Sequence, residues 1–238
     1  SSTIQLIKLK LNKLSPEDSR NFDKYIKIME INSFRLVRLI NNLLDSTKID
    51  AGFASFTPVS ADIINFVEGV CDSFTEYAKF NKVNLIFDTN EEEFIMRCDP
   101  SMIERVLLNL LSNAIKFTPE NKNIYVDICV NDDFAEIDIR DEGIGISQKD
   151  KNAIFERFVQ ADKSLTRENE GSGIGLYIVK SLIQMHDGSV NIESEEGKGC
   201  STIFTLPRRI NKNNKKHYLK CEENKINMMD VEFSDIYM

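Results

Sequence analysis

The sequence predicts an α+β protein: a mixed β-sheet with helices on one face, preceded by a helical hairpin. Three patterns carry that expectation. A narrow apolar stripe runs along residues 22–47, strand-like stretches alternate with amphipathic helices over residues 62–206, and two strands flank the tight turn Asn131-Asp132-Asp133. Strands separated by helices need crossovers and the turn needs an antiparallel pair, so the sheet is mixed. With 238 residues the chain can build one sizeable core and a smaller element beside it.

The first element is a hairpin over residues 1–52. Residues 3–13 are helix-compatible, with Ile4, Ile7 and Leu11 on one face. Ser15-Pro16-Glu17-Asp18 then supplies an N-cap, a proline at the first helical position and acids in the first turn. Beyond it Phe22, Ile26, Met29, Ser33, Leu36, Ile40, Leu43 and Thr47 alternate at spacings of four and three, and Gly52 stands where a C-cap is expected. One hairpin cannot bury that seam, so a second copy completing a four-helix bundle is the expected partner.

Residues 59–207 form the second unit. The pattern gives a helix over 62–80, strands at 83–87 and 94–98, and a helix from Asp99-Pro100-Ser101 to Phe117. A hairpin follows over 124–130 and 134–140, then helices near 148–155 and 173–187, and strands at 189–194 and 201–206. The tail, 208–238, opens with five Lys/Arg and His217 over residues 208–217, which reads as a solvated linker.

Composition narrows the function. A net charge of −8 disfavours binding nucleic acid through electrostatics. Five scattered cysteines without a C-x-x-C pair read as reduced thiols of a cytoplasmic protein and not as a zinc site. No apolar run reaches the roughly 18–20 residues that cross a bilayer, so membrane contact is expected only through segments outside this chain.

Three stretches carry chemistry. On the helix ending at Phe117, Asn109, Asn113 and Lys116 share one face; two amide oxygens suit a hard cation and the lysine suits phosphate. Asp141-Glu142-Gly143-Ile144-Gly145-Ile146 leaves a strand with a carboxylate able to accept from an exocyclic amine, and its glycines allow a planar base to approach the backbone. Gly171-Ser172-Gly173-Ile174-Gly175 opens a helix beginning at Leu176, a ready polyphosphate site, and the polar stretch 158–170 before it has the character of a lid. Each stretch alone also fits a surface helix or a plain turn.

In this order and spacing, with Phe155-Glu156-Arg157-Phe158 and Gly197-Lys198-Gly199, they resemble the sensor histidine kinases of two-component signalling. More broadly they resemble the ATPases that include gyrase, Hsp90 and MutL. The resemblance covers residues 20–207 and implies the two-layer, left-handed βαβ sandwich (the Bergerat fold), binding ATP and Mg²⁺ under a lid. It implies that Asn109 and Asn113 serve metal and phosphates, Lys116 the phosphates, and Asp141 the adenine amine. Phe117, Gly143, Gly145 and Ile146 then line the base pocket, and Gly171, Gly173, Gly175 and Leu176 the phosphate end. Cys200 stands where the family often has Ser or Thr, and Gln160 where some members have Arg.

Hydrolytic branches resemble Glu-x-x-x-Asn where this chain has Asn109-x-x-x-Asn113, and an amide cannot act as a general base. The implied activity is therefore transfer of the γ-phosphate to a histidine, for relay to the receiver domain of a response regulator by a homodimer joined through the N-terminal helices. A hydrolytic ATPase or a non-catalytic nucleotide-binding scaffold are the alternatives. Residues 1–14 hold neither a histidine nor an acid and resemble the stretch after the acceptor motif, so no self-phosphorylation of this chain on histidine is expected. His186 reads as a helix-end histidine capped by Gly188, and His217 has no motif around it.

Overall fold

The structure, a computed structural model, describes residues 16–151, 153–159 and 172–209, with backbone alone over 16–24. The expected helix over 3–13, Ser15, Gln160, Gly171, His217 and most of the stretches 158–170 and 208–238 lie outside these residues.

The long helix α1 (Pro16–Asp50) begins at the predicted proline. It ends as Gly52 was expected to end it: Gly52 adopts φ +70°, its N–H donates to Ile49 O at 3.1 Å, and Phe53 N–H donates to Lys48 O at 2.8 Å. This is a Schellman cap, and glycine fills its left-handed position without a β-carbon penalty. From Met29 onward the apolar seam of α1 lies open, with Met29 57%, Leu36 59%, Ile40 49% and Leu43 48% exposed, whereas Ile26 is buried.

The second unit starts with β1 (Val59–Asp62), where the sequence predicts no strand. It pairs antiparallel with β3 (Ile95–Cys98) as a two-stranded sheet. Asp62 ends β1 and caps α2 (Ile63–Phe80): its Oδ1 accepts from Ile64 N–H at 3.2 Å and from Phe94 N–H at 3.1 Å. The main sheet has the order β2-β4-β5-β7-β6. In it β2 (Asn84–Thr89) runs parallel to β4 (Asn123–Val130), while β5 (Phe134–Asp141), β7 (Gly199–Pro207) and β6 (Ser189–Glu195) continue antiparallel.

One face of this sheet is apolar because its strands alternate. Ile124, Val126 and Ile128 of β4, Ile137 and Ile139 of β5, and Phe204 and Leu206 of β7 are all buried. Against them pack α2 through Val67, Val70 and Phe74, α3 (Pro100–Phe117) through Val106, Leu107 and Leu111, and α4 (Gly175–Met185) through Ile178, Val179 and Ile183. Each such side chain contributes about 1.5–3 kcal/mol of transfer free energy. The result is the expected mixed sheet with helices on one face.

Two local expectations are corrected. Residues 148–151 and 153–155 form turns and not a helix: Asp150 N–H and Lys151 N–H both donate to Ser147 O, and Ile154 N–H donates to Asp150 O. So short a stretch does not recover the cost of helix nucleation without a packed face. At the end of α4 the left-handed residue is Asp187 (φ +54°), while Gly188 supplies the next N–H, to Ile183 O at 3.0 Å. Gly188 is small because a β-carbon there would lie 2.2 Å from Thr205 O.

Candidate functional site

Helix α3 positions the first group. Its N-cap, Asp99, is buried and accepts from Ser101 N–H at 3.1 Å and Met102 N–H at 3.3 Å through Oδ1, and from Thr57 N–H at 2.9 Å through Oδ2. Asp99 N–H in turn donates to Nε2 of His186 at 3.0 Å, whose Nδ1 faces Leu182 O at 2.8 Å. This fixes the tautomer with the proton on Nδ1. Burial pushes the His186 imidazole below its ordinary value, although Leu182 O and Asp99 pull the other way. His186 is thus a buried neutral strut between α4 and the start of α3.

Farther along α3, Asn109 is 1% exposed. Its Nδ2–H donates to Arg105 O at 2.9 Å, which turns Oδ1 toward α4, 2.7 Å from where a β-carbon on Gly175 would lie. Asn113 and Lys116 follow one and two turns on, both half-buried, and Lys116 Nζ lies 5.3 Å from the centre of the Phe117 ring. Among the described residues no side chain caps α4 and no acid lies in its first turn, so its positive end is uncompensated at Gly175, the residue that Asn109 Oδ1 approaches.

The other end is built by the loop after β5. Asp141 Oδ1 accepts from Gly143 N–H at 2.8 Å, and Phe117 O accepts from Ile144 N–H at 3.3 Å. A β-carbon on Gly143 would meet Phe117 O at 2.5 Å and Asp141 Oδ1 at 2.6 Å. Phe117, Asp141 and Gly143 therefore converge, about 12 Å along α3 from Asn109. Burial pushes the Asp141 carboxyl up to about 6, while N–H bonds from Gly143 and Cys200 favour its ionised form. Burial, and then Asp141 itself, push the Cys200 thiol up to about 11.

The glycines also let neighbouring backbone come close. A β-carbon on Gly145, which adopts φ +67°, would lie 2.1 Å from Glu195 O. Its missing side chain makes room for the β6–β7 turn. Ser194, unmarked by any sequence pattern, joins the two segments: its Oγ accepts from Ile146 N–H at 2.8 Å and donates to Gly199 O at 2.7 Å. Gly173 meets Phe158 in the same way, its carbonyl accepting from Phe158 N–H at 2.9 Å, and Leu176 lies half-buried in the first turn of α4. An open depression of 710 Å³ beside β5 is lined by Asp141, Ser194, Glu195, Gly199 and Cys200 among others and involves no residue of α3 or α4. The four cysteines among the described residues, Cys71, Cys98, Cys129 and Cys200, are free.

The structure thus has a sheet covered by helices on one face, with an amide-bearing helix meeting the start of another. Residues 98–210 match the family described as histidine kinase-, DNA gyrase B-, and HSP90-like ATPase. Over 186 residues the chain is 35% identical to the sensor histidine kinase WalK of Bacillus subtilis, a match that covers 77% of this chain and 30% of that one. The catalytic domain of the histidine kinase ThkA superposes with a TM-score of 0.56 at 26% identity, over 65% of this chain and 99% of that one. ThkA in complex with the response regulator protein TrrA matches at a TM-score of 0.62 and 23% identity, over 87% of this chain and 57% of that one.

The chain therefore belongs, through this domain, to the histidine kinases and carries their catalytic ATP-binding domain. It spans under a third of the length of the first curated relatives it matches. Among the described residues no helix is long and apolar enough to cross a membrane.

Proposed function

We propose that this chain binds Mg-ATP along α3 and passes the γ-phosphate to a histidine that is neither His186 nor His217, for relay to a receiver-domain aspartate of a response regulator. Asp141 accepts from the adenine amine, and Phe117, Gly143, Gly145 and Ile146 shape the base pocket. Asn109, Asn113, Lys116 and the Gly171–Leu176 segment serve the phosphates. The observation that carries this reading is Asn109: a buried neutral amide with its nitrogen committed to Arg105 O is far too weak a base to take a proton from water.

The donor set fits Mg²⁺, because Asn109 and Asn113 offer neutral oxygens that leave room for waters and phosphate ligands. Bound there, the ion would neutralise phosphate charge. The chain's own residues orient the nucleotide, and Lys116 and the positive end of α4 stabilise charge on the transferring group.

The exposed seam of α1 supports a homodimer joined through the N-terminal helices, with the chain divided as 1–52, 59–207 and 208–238. The ThkA–TrrA complex supports a receiver domain as partner. His186, buried and with both ring nitrogens engaged, is not an acceptor. The test incubates the chain with Mg²⁺ and γ-labelled ATP, alongside binding of a fluorescent ATP analogue. Saturable binding with phosphate release close to background is expected, and no acid-labile phosphate on the chain. Sustained hydrolysis would sink the transfer reading.

A further inference from the structure

The last turns of α1 meet the catalytic unit through charge. Asp45 Oδ2 lies 2.7 Å from Nη2 of Arg105, which also donates to Asn42 Oδ1 at 2.8 Å. One turn on, Asp50 pairs with Arg157 and accepts from the Tyr177 hydroxyl. Arg157 Nη2 donates to Ser46 O at 2.8 Å, and its guanidinium lies over the Tyr177 ring at 4.5 Å.

These contacts converge on one end of the nucleotide site. The Arg105 carbonyl holds Asn109 Nδ2, Arg157 precedes the lid-root residue Phe158 that donates to Gly173 O, and Tyr177 lies in the first turn of α4. None of them reaches Asp141, Gly143 or Phe117. The interface is also imperfectly satisfied: Asn42 Nδ2 and the Nε atoms of Arg105 and Arg157 are buried without a partner. Each orphan donor raises the free energy of the docked state, and polar interfaces between units separate readily.

We infer that Asp45 and Asp50 form a latch through which the position of α1 sets the affinity of the site for the phosphates of ATP, with Arg105, Arg157 and Tyr177 as positioning residues. The inference rests on the nucleotide reading above. Coupling is reciprocal: if docked α1 favours the triphosphate, the triphosphate holds α1 docked. Adenosine, which lacks the phosphates, is blind to the latch.

The test measures binding of adenosine and of the Mg²⁺ complex of a non-hydrolysable ATP analogue to the whole chain, for wild type, Asp50→Asn, Tyr177→Phe and Arg157→Lys. Amide exchange at 47–53 is followed with each ligand. Asp50→Asn should weaken the analogue roughly fivefold, with adenosine unchanged. Tyr177→Phe, which removes only the hydroxyl, should act in the same direction, and Arg157→Lys, which keeps the charge, should retain most of the affinity. The analogue, unlike adenosine, should slow exchange at 47–53 in the wild type. An analogue that binds all four proteins alike, or leaves exchange at 47–53 unchanged, overturns the latch. Failure of both ligands to bind the wild type removes the nucleotide reading, and the latch with it.

Discussion

Asn109 Oδ1 and the Cα of Gly175 face one another so closely that a β-carbon on the glycine would lie 2.7 Å from the amide oxygen. Two helices, α3 and α4, are thereby brought together where the phosphates are proposed to lie. Gly175→Ala should destabilise the fold by about 1–3 kcal/mol through overpacking. Combining it with Asn109→Ala should cost less than the sum of the two single changes, because the clash is removed. Denaturant unfolding of the four proteins checks this.

Asp141 should trade stability for binding. Unfolded, it ionises near 3.8; folded, it keeps its proton up to about 6. Between those values the folded chain holds the extra proton, so this carboxyl's contribution to stability declines as pH rises through the window and is unfavourable at neutral pH. Asp141→Asn should therefore raise the thermal midpoint at pH 7 by a few degrees while weakening ATP-analogue binding about tenfold or more. In the wild type, affinity should fall as pH drops through about 6. Calorimetry at pH 5, 6 and 7 reads both effects.

His186 should act in the opposite sense. The unfolded imidazole takes up a proton near 6.5 and the buried one only at lower pH, so stability is lost as pH falls below 6.5. A proton on Nε2 would set two N–H groups against each other at Asp99 N–H. His186→Ala should cost about 1–3 kcal/mol at pH 7 by orphaning that donor, and should flatten the pH dependence. Because Asp141 opposes this trend, the comparison is cleanest in the Asp141→Asn background, by chemical denaturation at pH 5 and 7.

The open seam of α1 should govern self-association. Leu36→Glu or Ile40→Glu places a charge in the proposed dimer contact, and the dimer dissociation constant should rise about tenfold or more. Thermal unfolding of the catalytic unit should be unaffected, since both side chains are exposed. Sedimentation across a concentration series decides.

What the sequence made legible was local. Pro16, Asp99-Pro100 and Gly52 mark helix ends by their own backbone chemistry, and α1 and α3 start or stop there. The alternation in β4 and β5 states which residues face the helices. What escaped depends on distant partners. β1 is four residues long and becomes a strand only because β3 lies beside it. Ser194 looks like any strand serine until Ile146 and Gly199 meet it. The carbonyl of Glu195 that lies beside Gly145 belongs to a turn fifty residues on, which no local pattern brings there. Asp50 and Arg157 are far apart in the chain, and no periodicity links them.

Two contacts in the main sheet close long loops. The parallel contact of β2 with β4 forms only after residues 90–122 have crossed over, and the antiparallel contact of β5 with β7 only after residues 142–198 have done so. The first crossing segment contains α3, and hence Asn109 and Asn113, and the second contains α4 with Gly175. Closing such loops is entropically slow, so the steps that complete the sheet are also the steps that bring α3 and α4 together. A refolding chain would acquire its nucleotide site late, and binding of the ATP analogue would report the end of folding.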